Sequence, residues 1–217
     1  MKYRCLVVDH DDTIVNSTAT IHYPAFLAFM RTARPELSMS LEEYFAYNFE
    51  PGVIPLFRDI CGLSADEMKA EEKFWHSYVK DHIPDAYPGI RELLEKHKKE
   101  GGLICVVSHS FSQYIYRDYE HNHLPRPDMV FGWDMEPSLR KPSPYALEEI
   151  MRTFGLKKEE LLVLDDLKPG FDMAAAAGVP FAAAGWANDV PSIESFMRKN
   201  SPLYFKTVAD LAGFLEE

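Results

Sequence analysis

Three short runs along the chain are apolar at every position: Cys5-Leu6-Val7-Val8, Leu103-Ile104-Cys105-Val106-Val107 and Leu161-Leu162-Val163-Leu164. A strand with one solvated face alternates apolar and polar residues. An unbroken run suits a strand covered on both faces, as in a parallel sheet. Residues 180–184 and 203–205 form weaker runs of the same kind. Between the later runs the apolar spacing becomes helical, over 111–120, 145–154, 171–177, 193–199 and 208–215, with Gly178 placed as a stop after four alanines. Strands alternating with helices through right-handed crossovers predict an α/β fold built on a doubly wound parallel sheet.

The stretch from about residue 18 to residue 85 has no such strand run and three helical patterns, at 18–34, 41–47 and 65–82. An all-helical block set directly after the first strand predicts an inserted cap. The expected division is a core of 1–16 and 87–217 and a helical cap of 17–86. The aromatics Tyr44, Phe45, Tyr47, Phe49, Phe57, Phe74, Trp75 and Tyr78 are expected to form the cap's own core. Residues 48–52 read as a loop over the active site, with Gly52 giving backbone freedom, and 16–17 and 85–89 as the hinges.

In open α/β sheets ligands bind beyond the carboxyl ends of the strands, so the residues after each apolar run carry the chemistry. Asp9-His10-Asp11-Asp12-Thr13 follows the first run, Ser108-His109-Ser110 the second and Asp165-Asp166 the third. Two carboxylates two residues apart, Asp9 and Asp11, suit a nucleophile that accepts a phosphoryl group and a general acid–base partner. Asp165 and Asp166 add the hard oxygen ligands that Mg²⁺ prefers. Ser108 offers a hydroxyl to a phosphate oxygen, and His109 stands beside it. Lys141, in Arg140-Lys141-Pro142-Ser143-Pro144, supplies a cation for Asp9 and the phosphoryl group, with Ser143 as the expected cap of the next helix and Pro144 in its first turn.

Charge narrows the partners. A formal net charge of −11 repels polyanions, which disfavours nucleic acid and requires a phosphate site to be built locally. No apolar run approaches the roughly 20 residues that span a bilayer, and the first residues are too soon interrupted for a signal peptide, so no membrane association is expected. Cys5, Cys61 and Cys105 have neither disulfide nor zinc spacing, and a reducing cytoplasm fits them. The pair His121 and His123 lies in a polar, proline-flanked segment without a third ligand and reads as a loop. His10, between the two aspartates, reads as a residue that brushes the substrate or packs against the cap hinge, with a direct catalytic role disfavoured, and Asp12 as a turn residue whose side chain meets solvent.

Together Asp9-x-Asp11-x-Thr13, Ser108, Lys141-Pro142 and Asp165-Asp166 resemble, in order, the four motifs of the haloacid dehalogenase (HAD) superfamily, and the inserted helices resemble the C1-type cap of its phosphoglycolate phosphatases and β-phosphoglucomutases. The resemblance implies an Mg²⁺ ion held by carboxylates of Asp9 and Asp166 and the backbone carbonyl of Asp11. Asp165 would be a further ligand or a group bonded behind one. Family dehalogenases lack a carboxylate two residues after the nucleophile, so Asp11 points to a phosphatase or a phosphomutase. The expected activity is hydrolysis of a small phosphorylated metabolite. A β-phosphoglucomutase-type mutase is the alternative, disfavoured because residues 46–54 contain no arginine or lysine. A non-catalytic phosphate sensor is a third reading. Substrate and oligomeric state stay open.

Overall fold

In the computed structural model, which describes residues 2–216, six strands form one sheet. They are β1 (Cys5–Val8), β2 (Leu103–Val107), β3 (Met129–Phe131), β4 (Leu161–Asp165), β5 (Phe181–Ala184) and β6 (Leu203–Phe205). Their order is β3-β2-β1-β4-β5-β6, and every neighbouring pair is parallel. Residues of β1, β4 and β5 are buried throughout, which is the reason their sequences show no alternation. The connections run outward in opposite directions from β1 and β4, so the switch point of the sheet lies between them.

Among the described residues ten α-helices accompany the strands: α1 (Tyr23–Ala33), α2 (Leu41–Phe49), α3 (Val53–Pro55), α4 (Ala65–Lys80), α5 (Ile90–Lys99), α6 (Ser112–His121), α7 (Tyr145–Phe154), α8 (Lys168–Ala177), α9 (Pro191–Asn200) and α10 (Val208–Glu216). Besides the short α3, two elements were not among the predicted ones. The edge strand β3 is three residues long and only half-buried, too short for a period to register. In α5 the buried residues are Ile90, Leu93, Leu94 and His97, a helical spacing diluted by charged neighbours. Helix α8 begins at Lys168, with proline in its first turn, three residues before the predicted 171. The predicted cap of α7 shifts by one position: Pro144 is its N-cap, and Ser143 Oγ accepts only a 3.4 Å bond from the Tyr145 amide.

The chain divides into two compact units. One holds the residues up to Asn16 and those from Asp85 onward; the other is Ser17–Pro84. The second division falls at 84/85, not 86/87, because the chain re-enters the sheet unit there: the Asn16 amide donates to the Asp85 carbonyl (3.0 Å), and Val15 bridges Ala86 antiparallel. Met1 and Glu217, ends of the predicted core, lie outside the described residues. In the first unit β1, β2, β4 and β5 pack with α5, α6 and α10 in one apolar cluster around Leu6, Val8, Ile104, Leu162 and Ile115.

The helical unit has its own core, in which Phe26, Met30, Tyr44, Leu56 and Phe57 meet. Phe45 and Phe49 are buried as well, while Phe74, Trp75 and Tyr78 are half-buried. Capping boxes at Ser40/Glu43 and Ser64/Glu67 start α2 and α4. Arg34 binds the carbonyls of Cys61 and Gly62 and pairs with Glu67, closing the turn before α4.

Candidate active site

The chain leaves β1 along β4, with the Asp9 amide donating to the Leu164 carbonyl (2.8 Å), and then folds back on itself. The His10 carbonyl accepts from the amides of Ile14 (2.9 Å) and Val15 (3.1 Å), and the Asp12 amide donates to Val15 (2.7 Å). The turn requires a left-handed residue at Asp12, φ 58°, a conformation that aspartate tolerates better than most side chains. Here one expectation is corrected. Asp12 does not face solvent: it is 3% exposed, receives the Tyr87 hydroxyl, and stands among the acids around Asp166. Burial, Asp12 and Asp166 together push the Tyr87 phenol up, so it stays a donor.

Asp9 and Asp165 meet on Lys141. Its ammonium donates to Asp9 Oδ1 at 2.7 Å and to Asp165 Oδ2 at 2.6 Å, all three side chains being almost fully buried. The adjacency of β1 and β4 brings the two aspartates together, and the segment before α7 delivers the lysine. Burial lowers the lysine's affinity for its proton, but Asp165 and Asp9 outweigh it and hold Lys141 above its ordinary value, fully charged. Asp165 Oδ1 takes the Leu167 amide at 2.8 Å, so both of its oxygens are engaged.

Asp166 differs. Oδ1 accepts from Thr13 Oγ1 at 3.3 Å, and Oδ2 is buried with no partner among the described residues. Burial, then Asp12, Asp165 and Asp9, drive its carboxyl well above the usual range. Asp9 is pushed up to about 7, by burial first and by Asp165 and Asp11 against the pull of Lys141. A buried group of carboxylates with one lysine lacks positive charge. Oxygens of Asp9, Asp165 and Asp166 lie within 4.8 Å of one another. An orphaned buried carboxylate oxygen among hard donors is what a divalent cation such as Mg²⁺ would satisfy, and the residues present fit that ion.

Ser108 is buried at the end of β2, its Oγ accepting the Ser110 amide at 3.1 Å in the turn before α6. Gly132, after β3, lies against this turn: a Cβ there would come within 2.7 Å of the Ser110 carbonyl and the Ser112 amide. His109 turns its Nε2 to the Lys141 carbonyl (3.1 Å), with Trp133 edge-on to its ring at 5.3 Å. Burial and Lys141 push His109 down to about 4, so it is a neutral imidazole at pH 7. Asp11 is half-buried, the most open of the acids in this loop.

Three residues here carry no signal in a single sequence. Tyr87 belongs to the return from the helical unit and Trp186 to the turn after β5, where its indole donates to the Thr13 carbonyl at 3.2 Å. Gly170 is the third: a Cβ on it would sit 2.1 Å from Asp165 Oδ2. Its spacing of five from Asp165 was a visible cue, but only a known helix start gives it meaning.

Residues 6–184 match the sequence profile of the haloacid dehalogenase-like hydrolases, and the chain belongs to that family. Within it the chain is of the phosphatase type. It is 25% identical over 190 residues to the pyrophosphatase PpaX of Listeria monocytogenes, covering 86% of this chain and 85% of that one. It is 24% identical over 190 residues to a phosphoglycolate phosphatase of Pseudomonas syringae pv. tomato, covering 84% of this chain and 70% of the relative. A haloacid dehalogenase-like family hydrolase from Streptococcus pneumoniae has the same fold, with a TM-score of 0.78 at 17% identity over 99% of both chains. No helix among the described residues is long and apolar enough to cross a membrane.

Proposed function

We propose that the chain is an Mg²⁺-dependent phosphomonoesterase that hydrolyses a small phosphorylated metabolite through an aspartyl-phosphate on Asp9. The observation that carries this is Lys141 bridging Asp9 and Asp165 beside an Asp166 oxygen with no partner. Asp9 Oδ2 is the nucleophile: Oδ1 is fixed by Lys141, which aims the second oxygen. Attack at phosphorus forms the Asp9–phosphate bond and breaks the bond to the leaving alkoxide, which takes a proton from Asp11. Asp11 then removes a proton from water, the water oxygen attacks phosphorus, and phosphate leaves Asp9 as a free carboxylate. Ser108 and the amides that open α6 hold phosphate oxygens, and Lys141 balances their charge.

Asp9 and Asp166, with the Asp11 backbone carbonyl, would hold the Mg²⁺ ion, whose contribution when bound is to neutralise charge between carboxylate and phosphate. Asp165 serves as the anchor of Lys141, since both of its oxygens are engaged. His109 acts on the phosphate site through the backbone of Lys141.

A hydrolase fits better than a mutase. A mutase has to grip a second phosphate with a cation, and Arg58, just after the arginine-free and lysine-free stretch 46–54, is already paired with Asp59 at 2.7 Å. The relatives PpaX and phosphoglycolate phosphatase suggest pyrophosphate and phosphoglycolate as first substrates to try. The test is a panel of these compounds, p-nitrophenyl phosphate and sugar phosphates, with Mg²⁺ and with EDTA. Phosphate release that needs the metal is expected. Release unaffected by EDTA, or sugar-phosphate isomerisation faster than release, would overturn the reading. In a metal titration, Asp166→Asn should raise the Mg²⁺ concentration for half-maximal activity by about 10- to 100-fold. An unchanged titration would remove Asp166 from the metal site.

A further inference from the structure

One buried ionisable pair in the sheet unit has no part in the chemistry above. His10 lies between the two reacting aspartates and is fully buried. Successive residues leaving a strand point to opposite sides, so its ring turns away from Asp9 toward α6. There Nε2 meets Asp118 Oδ2 at 3.0 Å, and Asp118 is itself 3% exposed. The other oxygen of Asp118 takes Arg117 Nε and Nη2, both at 2.7 Å. The Tyr119 ring stacks on His10 at 6.0 Å, tilted by 26°. His10 Nδ1 is buried with no partner among the described residues, so the ring is anchored by hydrogen bonding through Nε2 alone.

We propose that His10 and Asp118 form a positioning pair that locks the Asp9–Asp11 loop to α6 and so fixes the aim of the nucleophile. The proposal rests on the reading of Asp9 as nucleophile. As packing alone the pair is costly. An imidazole with an unsatisfied nitrogen and a carboxylate both lose water on burial, and an apolar pair of similar volume would fill the same space with less penalty. What a directional bond adds is orientation. The His10 carbonyl closes the loop by accepting from Ile14 and Val15, so the side chain and main chain of one residue pin the turn at two points. Any rotation at residue 10 swings Asp9 and Asp11 together.

The far end of the bond also matters. Asp118 sits about two turns along a helix that starts just after Ser108, the proposed phosphate donor. Through the pair, nucleophile and phosphate donor are held to one rigid element. Asn122, one residue past the end of that helix, holds the return of the chain by accepting from the Ala86 amide at 2.8 Å and donating to the Asp118 carbonyl at 2.9 Å. The brace therefore reaches from the nucleophile loop to the place where the helical unit rejoins the sheet unit.

The test compares His10→Leu, Asp118→Leu, the double leucine variant and His10→Gln in the full-length protein with Mg²⁺. It reads kcat, KM for p-nitrophenyl phosphate, thermal midpoint and the solvent-protected imidazole proton in ¹H NMR. The single leucine variants should lose roughly 10- to 100-fold in kcat with KM little changed. The downfield proton should vanish in both. The double leucine variant, which removes both buried members of the pair while the part-exposed Arg117 turns to water, should regain the thermal midpoint but not kcat. His10→Gln keeps a donor toward Asp118 and should recover most of kcat. Recovery of kcat with stability in the double variant would make the pair structural and sink the proposal, as would wild-type kcat in either single variant. Should the single variants not fold, the double variant and His10→Gln decide alone. If Asp9→Asn keeps its activity the nucleophile reading falls; if it is inactive while the His10 variants run at the wild-type kcat, only the positioning role falls.

Discussion

An Asp9→Asn enzyme folds and turns over nothing. Turnover of p-nitrophenyl phosphate is expected to fall by roughly 10⁴-fold or more, because an amide oxygen forms no acyl-phosphate at a useful rate and no other carboxylate stands in its place. Asp165 has both oxygens engaged, and Asp166 is buried among the other acids. The fold has little to lose. Asp9 already sits among Asp11 and Asp165 with its carboxyl pushed up to about 7 by burial, and asparagine removes that repulsion while keeping an acceptor for Lys141. The thermal midpoint should stay within a few degrees of wild type. Steady-state assays of the two proteins, with mass spectrometry of acid-quenched wild type to find phosphate on the Asp9 peptide, check both halves. A variant with a tenth or more of wild-type activity, or trapped phosphate on another residue, would end the case for Asp9.

Gly170→Ala is the second large effect, and it runs against a local rule. Alanine in place of glycine inside a helix ordinarily stabilises by about 0.5–1 kcal/mol. Gly170 is in the first turn of α8, where that gain should apply. But the added Cβ would lie 2.1 Å from Asp165 Oδ2 and 2.2 Å from its Cγ, distances at which something has to move. The helix start is tied down by the Leu167 amide on the same carboxylate, so the side chain of Asp165 gives way and Lys141 loses one of its two anchors. The expected result is a net destabilisation of about 1–3 kcal/mol and a loss of roughly 10²-fold or more in kcat from a misplaced lysine. Thermal melts and kinetics on the same preparation decide it. Higher stability with full activity would show that Asp165 does not need its present position.

The contrast between these two residues says what a sequence can reveal. The place of Asp9 at a strand end was legible because its context is local: an unbroken apolar run, then acids spaced by two. The same holds for Ser108, Lys141, Asp165 and Asp166, each placed by the strand or helix start beside it. The sheet itself was readable for the same reason, since strands buried on both faces announce themselves by lacking alternation. Tyr87 and Asp118 matter only through a partner far away in the chain, and Gly170 only through a carboxylate five residues back that a known helix start brings against it. The helix α5 and the edge strand β3 were missed differently, one through dilution by charge and the other through brevity. Asp12 was misjudged because turn residues are usually solvated; here the turn is folded under Tyr87 and closed off from water.

The pinning of Asn16 to Asp85 and of Val15 to Ala86 has an evolutionary consequence. Both ends of the helical unit are clamped side by side in the sheet unit, so the sheet unit meets the insert as a loop already closed at its base. The entropy of closing such a loop changes only slowly with its length. Insertions, deletions or wholesale replacement between those two clamps leave the register of β1 and the carboxylates beyond it untouched. The helical unit can therefore vary in length and composition while the carboxylates stay fixed in the sheet unit, which makes the clamp a point of modular exchange.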